Sequence, residues 1–156
     1  MSEVRVRVWR VEPHSPSRYL YLLILLDEDQ HLLPMTIGLC EAMAIQGLLR
    51  SDRGIPRPTT THDLMGELIT GLGGRVIKVV IDDLWNKVYF AKVHVAVNGE
   101  VVTIDSRPSD AVALALRMEA PLFATETVIA AANEPEEPSN SSEPVDGSPD
   151  VDIDDL

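Results

Sequence analysis

The stretch VYFAKVHVAVNGEVVTIDSRPSDAVALALRM, residues 88–118, decides the fold of this chain. Two β-compatible runs, residues 88–97 and 100–104, flank Asn98-Gly99, a pair typical of a type I′ hairpin turn. Pro108 then opens a helix, because proline is well tolerated in the first helical turn. Two antiparallel strands followed at once by a helix indicate an α+β chain rather than strict βαβ alternation.

The rest of the chain up to residue 132 continues this pattern. Period-two alternation and short apolar runs predict five further strands, and helical spacing of apolar residues predicts three further helices. The strands lie at residues 4–11, 19–26, 31–37, 75–81 and 122–124, and the helices at residues 39–50, 64–72 and 125–132. We therefore predict an α+β fold with a mixed, mainly antiparallel sheet and three to four helices.

Residues 133–156 differ sharply in composition from the rest of the chain. They hold nine of the 25 acidic residues and no Lys or Arg, and they are rich in Pro and Ser. This composition predicts a disordered acidic tail after a single domain at residues 1–132. Without the tail the formal charge changes from −12 to −3, which leaves 16 acidic against 13 basic residues. No strong basic field that would attract nucleic acid is therefore visible.

The sequence also predicts the cellular location of the protein. It has one cysteine, Cys40, and so forms no disulfide within the chain. The N-terminus alternates like a strand rather than a signal peptide, and the longest apolar run, residues 19–26, is far too short to cross a membrane. We expect a cytoplasmic protein with no membrane partner. P-loop, GxGxxG and GxSxG motifs are missing, and the few aromatic residues indicate no base-stacking platform.

The junction between the strand at 100–104 and the helix at 108–118 concentrates polar side chains. Asp105, Arg107, Ser109 and Asp110 lie within six residues. One interpretation is helix capping, since Ser and Asp suit the free N–H groups and the dipole of a helix start. The other is a functional site, in which Arg107 binds Asp105 or a phosphate in bidentate fashion.

Three further polar positions have the same two interpretations. Asp82-Asp83 is predicted to end a strand, His62-Asp63 opens a helix after a threonine run, and Glu41 opens another helix. Each is explained by helix dipoles or by a solvated strand end. If these ends converge, they provide several carboxylates, an imidazole with a pKa near neutrality and an arginine. That set suits a divalent metal and a phosphate.

Several motifs give the chain a specific resemblance. They are residues 33–38 followed by Glu41-Ala42, Arg57-Pro58 followed by residues 61–64, and residues 79–84, 89–91 and 104–115. In this order they resemble the bifunctional nuclease family, whose members contain the BFN domain, over about residues 4–132. The resemblance implies an α+β domain that self-associates as a homodimer or higher homo-oligomer, with nuclease activity on RNA and DNA. The polar positions that match the family are Glu41, His62, Asp63, Asp82, Asp83, Asp105, Arg107, Ser109 and Asp110.

Two hypotheses from different classes follow. In the first, the protein is a metal-dependent phosphodiesterase. Its catalytic residues would be Glu41, His62, Asp63, Asp105, Arg107 and Asp110, and its ligands for Mg²⁺ or Mn²⁺ would be Asp82, Asp83, Asp105 and Asp110. In the second, the protein is a non-catalytic binding or scaffold domain. The same polar residues would then cap helices and form a structural ion-pair network.

Overall fold

The computed structural model describes residues 2–50 and 59–135. This part of the chain contains seven strands and four helices. The strands are β1 (Glu3–Pro13), β2 (Leu20–Asp27), β3 (Leu32–Gly38), β4 (Arg75–Trp85), β5 (Val88–Val97), β6 (Glu100–Ser106) and β7 (Leu122–Thr125); the helices are α1 (Leu39–Leu49), α2 (Thr61–Gly71), α3 (Pro108–Met118) and α4 (Glu126–Ala132). The predicted order of elements is confirmed.

The seven strands form one sheet in the order β3-β2-β1-β7-β4-β5-β6. Every neighbouring pair is antiparallel except β4 and β7, which run parallel. The predicted α+β class with a mixed, mainly antiparallel sheet is therefore confirmed. Strands β3 and β6 form the two edges of the sheet. Strand β3 contains Pro34, which fits an edge position because proline has no N–H to donate.

The helices cover one face of this sheet. Along β5, Tyr89, Ala91, Val93 and Val95 are buried in the single core, whereas the alternate side chains point to the opposite, open face. Helix α3 lies at the centre of the helical layer, where it contacts α1, α2, β4 and β5. Among the described residues, no helix is long and apolar enough to cross a bilayer.

Two of the strands that carry predicted site residues run further than the sequence pattern predicted. We expected β4 to stop at residue 81, but it continues to Trp85 through a bulge between Ile81 and Asp83. A bulge absorbs one extra residue without ending the ladder, so the two acids lie inside the strand. Strand β6 likewise includes Asp105 and ends at Ser106.

Two sequence predictions lie outside the described residues. These are the Arg57-Pro58 motif and residues 136–156 of the predicted acidic tail. The division at residue 132 stays a prediction, although α4 ends at Ala132, where the predicted domain ends.

Candidate active site

The junction between β6 and α3 sends its polar side chains to two different faces. Asp105 lies opposite Lys92 of β5, on the open face of the sheet. Arg107 is the N-cap residue of α3, and Pro108 follows in its first turn. Arg107 and Asp110 turn towards the helical layer, where they meet residues of α1 and α2. The sequence therefore predicted one cluster where the structure has two.

The first cluster is centred on Arg107 and contains four predicted catalytic residues. Arg107 Nε donates to Asp110 Oδ2 at 2.7 Å, and Arg107 Nη2 donates to Glu41 Oε1 at 2.9 Å. His62 Nε2 lies 3.0 Å from Asp110 Oδ1. We call Glu41, His62, Arg107 and Asp110 the Arg107 cluster. Three helices contribute to it, since Glu41 is in α1, His62 in α2 and Asp110 in α3.

Burial and two hydrogen-bonded neighbours act in opposite directions on the pKa of Asp110. Burial by itself raises the pKa of this carboxyl, but hydrogen bonds from Arg107 and His62 outweigh burial and lower the pKa below its ordinary value. The hydrogen bond to Asp110 also raises the pKa of Arg107. An ionised carboxylate only accepts hydrogen bonds, so His62 Nε2 is the donor to Asp110, and in a neutral imidazole the lone pair then lies on Nδ1.

The side chains of the Arg107 cluster differ in their exposure to solvent. The side chain of Arg107 is 68% exposed, whereas those of His62 and Asp110 are mostly buried. A guanidinium has five N–H groups, and the described carboxylates use two of them. The remaining donors can therefore bind an anion from solution, with phosphate a good geometric match.

Glu41 depends on a glycine for its position. A Cβ atom added to Gly38 would lie 2.6 Å from Glu41 Oε2, so the carboxylate occupies the space that a side chain would need. Gly38 is the N-cap residue of α1 and has an ordinary extended backbone. The glycine is therefore needed for room rather than for conformational freedom.

Asp63, also predicted to be catalytic, has a different set of contacts. Its Oδ2 accepts from the N and Oγ1 atoms of Thr60, at 2.8 and 2.9 Å, in a capping box at the start of α2. Its Oδ1 accepts from Arg117 Nε at 2.9 Å, and Arg117 Nη2 donates to Glu67 at 3.1 Å. These contacts link the start of α2 to the end of α3, and they hold Asp63 beside the Arg107 cluster.

The second cluster lies on the open face of the sheet. Lys92 Nζ is 2.7 Å from Asp105 Oδ1 and 3.4 Å from Asp82 Oδ2. We call Asp82, Lys92 and Asp105 the Lys92 cluster. The hydrogen bond to Asp105 is the main reason that the pKa of Lys92 is raised. Asp83, beyond the bulge, accepts from the backbone N of Leu84 at 2.8 Å.

One oxygen of the Lys92 cluster stands out. Asp82 Oδ1 is buried and has no hydrogen-bond partner in the described part of the chain. Buried carboxylate oxygens are nearly always paired, so this atom calls for a further donor or a cation. Lys92 was not predicted as a site residue, because a single lysine on a strand is a common surface residue.

The predicted metal ligands do not form one group. Asp82 and Asp105 belong to the Lys92 cluster, Asp83 lies beyond the bulge, and both oxygens of Asp110 are bonded within the Arg107 cluster. Among the described residues, no three of these carboxylates have ligand atoms that lie within 4.8 Å of one another.

One group of described residues does bring three such ligand atoms within 4.8 Å of one another, and it was not among the predicted sites. It comprises Asp27, Asp29 and His31, at the turn between β2 and β3. Their alternate spacing in the chain was an available signal. Both oxygens of the buried Asp27 already bond His31, at 2.8 Å to its N and 2.8 Å to its Nδ1. Burial alone would raise the pKa of Asp27, but these bonds lower it.

Comparison with known proteins identifies related chains. The family model described as the bifunctional nuclease domain matches residues 23–137. The uncharacterized protein Rv1829 of Mycobacterium tuberculosis is 39% identical over 132 residues, which cover 85% of this chain and 76% of that protein.

Plant proteins are similar at greater distance. Bifunctional nuclease 1 of Oryza sativa subsp. japonica and the bifunctional nuclease of Oryza minuta are each 29% identical over 119 residues. The match covers 74% of this chain but 35% of each plant protein. The chain therefore corresponds to about a third of these plant nucleases.

Proposed function

The chain belongs to the bifunctional nuclease domain family, and we propose that it is a nuclease that hydrolyses phosphodiester bonds in RNA, DNA or both. The observation that carries the proposal is the Arg107 cluster. It combines a largely exposed guanidinium, held by two carboxylates, with a mostly buried His62–Asp110 pair. This arrangement offers an anion-binding group next to a group that can take a proton.

Arg107 binds the scissile phosphate in this proposal. Phosphodiester hydrolysis builds negative charge on the phosphoryl oxygens in the transition state, and a preorganised guanidinium stabilises that charge. Glu41 and Asp110 fix the guanidinium from two sides, so little reorganisation is needed when substrate binds.

His62 takes the proton from the attacking water. Asp110 accepts the hydrogen bond from Nε2, which leaves Nδ1 as the basic atom, and the carboxylate then stabilises the imidazolium that forms. Glu41 is the second candidate base, because only one of its oxygens is bonded to Arg107 among the described residues. Asp63 positions α2, and hence His62, through its capping box.

We further propose that the reaction depends on Mg²⁺ or Mn²⁺, held by Asp82 and Asp105. The donor set fits a hard cation, since it consists of carboxylate oxygens and includes the unpartnered Asp82 Oδ1. When bound, such an ion would act as a Lewis acid and lower the pKa of a bound water. Lys92 competes with it, because its ammonium group contacts both Asp82 and Asp105.

Two accompanying expectations remain proposals. We propose a cytoplasmic location, supported by the single, exposed Cys40, since disulfide-free chains are typical of reducing compartments. We also propose that the protein works as a homo-oligomer.

The test uses the separation of the two clusters. Labelled single-stranded RNA and DNA are incubated with Mn²⁺, Mg²⁺ or EDTA and with wild type, Asp110→Asn or Asp105→Asn. We expect Asp110→Asn to lose cleavage by about 100-fold or more, because it disrupts the His62–Asp110 pair. We expect Asp105→Asn to need a higher metal concentration for half-maximal rate.

The results separate the proposals. Full cleavage by both variants would place the activity elsewhere or in a contaminant, and no cleavage by wild type would favour the binding or scaffold domain. Equal cleavage in EDTA would remove the metal proposal and leave the Arg107 cluster in place.

A further inference from the structure

Strand β1 places two arginines on the open face of the sheet. Val6 belongs to the core, and Val4 and Val8 pack against it. Arg5 and Arg7 alternate with these valines, so their side chains point to the opposite, open face. Both arginines are exposed, and neither has an ion-pair or hydrogen-bond partner for its side chain among the described residues. Their charges are therefore available to a further partner.

A bulge in β1 brings a third arginine to the same face. The register shifts between Val8 and Arg10, and Arg10 lies opposite Ile24 of β2. Ile24 is two residues from Leu26, the partner of Arg7, so Arg7 and Arg10 share a face. Regular alternation would have turned Arg10 towards the core. We call Arg5, Arg7 and Arg10 the β1 arginine row.

The β1 arginine row is a local excess of positive charge. Among the described residues its one acidic partner is Glu12, which lies 3.2 Å from Arg10. Glu3, on the same strand, is bound by Lys78 of β4 at 2.7 Å instead. The acids of the Lys92 cluster lie on β4 and β6, on the far side of β7. The part of the open face around β1 therefore suits a partner with several negative charges.

An apolar strip on β2 and β3 borders the row. Leu23 and Leu33 belong to the core on the helical side. Leu20, Leu22 and Leu32 alternate with core residues and therefore point to the open face. Leu20 and Leu32 are each more than a third exposed. A partner that combines acidic and scattered apolar residues would match the row and the strip together.

The chain leaves helix α4 beside this strip. Asn133, the residue after α4, donates from its Nδ2 atom to the carbonyl oxygen of Leu32 at 3.3 Å. Leu32 pairs with Leu26, and Leu26 pairs with Arg7, so these three residues form one line across the sheet. Neighbouring strands are about 4.8 Å apart, which puts the Cα atom of Arg7 about 10 Å from that of Leu32.

We propose that residues 136–156 of this chain, the acidic segment, bind the open face of its own sheet, with carboxylates on the β1 arginine row and apolar side chains on the strip. The segment contains no Lys or Arg, and its acidic and apolar residues are Glu136, Glu137, Glu143, Asp146, Asp150, Asp152, Asp154 and Asp155, and Val145, Val151, Ile153 and Leu156. Fully extended, its length is about 70 Å, several times the distance from Leu32 to Arg7.

The covalent connection makes weak pairs sufficient. An exposed ion pair contributes little by itself, but a segment joined to the same chain has an effective concentration in the millimolar range. Nucleic acid is also a polyanion and would compete for the same arginines. The contact does not involve the Arg107 cluster, so it can form whether or not the protein is a nuclease.

The first experiment uses a zero-length carbodiimide cross-linker on the full chain. The reagent joins a carboxylate to a lysine amine and does not react with arginine, so Arg7→Lys keeps the positive charge and adds a reactive amine. We expect an amide bond between position 7 of this variant and an acid of residues 136–156, located by peptide mass spectrometry. Arg50→Lys is the matched control, since Arg50 is exposed at the end of α1, in the helical layer. Mixing ¹⁵N-labelled and unlabelled chains separates links within one chain from links between chains.

The second experiment removes charge from the acidic segment and leaves the sheet unchanged. In the full chain, Asp150, Asp152, Asp154 and Asp155 are replaced together by Asn, and amide NMR spectra are compared with those of wild type. We expect the amide signals of residues 5–10 to shift, because the carboxylates no longer contact the β1 arginine row. The signals of α1 should stay in place, which also verifies that the variant folds.

The outcomes are distinct. Links within one chain that form about tenfold more at position 7 than at position 50, together with shifted β1 signals, support the contact. Equal linking at the two positions, links between chains only, or unchanged β1 signals would each overturn it. If the β1 signals ignore the Asn replacements but shift when a thymidine oligonucleotide is added in EDTA, the row binds nucleic acid instead of the acidic segment.

Discussion

The two ends of α3 carry nearly the same ionic arrangement, yet they present it to solvent differently. At the start of the helix, Arg107 donates through Nε to Asp110 and through Nη2 to Glu41. In the last turn, Arg117 donates through the same two atoms to Asp63 and Glu67. The side chain of Arg107 is 68% exposed, and that of Arg117 is 35% exposed.

The partners of the two arginines also differ. Asp63 is buried and serves at the same time as the capping-box acid of α2, so the Arg117 pair joins two helices. Asp110 instead contacts the imidazole of His62. An arginine that bridges two carboxylates is therefore not a functional signal in itself. The proposal for Arg107 depends on its exposed N–H donors and on the neighbouring imidazole.

The largest expected effect comes from exchanging the two arginines for glutamine. Arg107→Gln should lower phosphodiester cleavage about 100- to 1000-fold, because it removes the guanidinium that is proposed to stabilise the transition state. Its melting temperature should change little, since the guanidinium is largely exposed. Steady-state cleavage rates and thermal unfolding measure the two effects.

Arg117→Gln is the matched control for that pair. It should leave the cleavage rate within a few-fold of wild type and cost about 1–3 kcal/mol of stability, because it leaves Asp63 buried without its guanidinium. If both variants lose stability and neither changes a cleavage rate, the ion-pair scaffold explains both ends of α3.

An effect of intermediate size is expected when the stability of the fold is measured as a function of pH. The pKa of Asp110 is lower in the folded protein than in an unfolded chain, so its ionised form stabilises the fold. This contribution is present at neutral pH and is lost as the pH falls below about 4, through the folded pKa. The stability difference between wild type and Asp110→Asn, from urea unfolding, should therefore shrink from pH 6 to pH 3. A constant difference would show that Asp110 carries no stabilising charge.

The smallest expected effect concerns the room left for Glu41. In Gly38→Ala the new methyl group displaces the Glu41 carboxylate, whereas the backbone accepts alanine. Cleavage should fall less than tenfold, since Arg107 keeps its bond to Asp110, and the melting temperature should hardly move. Gly47→Ala, in the same helix with no neighbouring atom within 4 Å, should stabilise slightly and leave the rate unchanged.

The local parts of the fold could be predicted from the sequence. Asn98-Gly99 has the positive φ angles, 51° and 81°, that a type I′ turn requires, as the pair predicted. The end of β4 was mispredicted, because two consecutive acids look like a strand terminus and a bulge leaves no compositional trace.

The site was less accessible to sequence reasoning. Proximity along the chain suggested a pair between Arg107 and Asp105. The strand β6 ends at Ser106, however, so Asp105 stays on the open face with Lys92, whereas Arg107 turns towards the helical layer. The actual partner, Glu41, is 66 residues away, and His62 is 48 residues from Asp110. Such pairs depend on how α1 and α2 pack against α3, which local patterns do not encode.

Pro34 has a consequence for how many chains can join. It lies in the middle of β3, opposite Ile24, and has no N–H group with which to continue the ladder. If both ends of the sheet accepted strands, successive molecules would add without limit and grow a fibre. Pro34 therefore hinders strand addition at the β3 edge, so the sheet cannot grow by pairing at both of its edges.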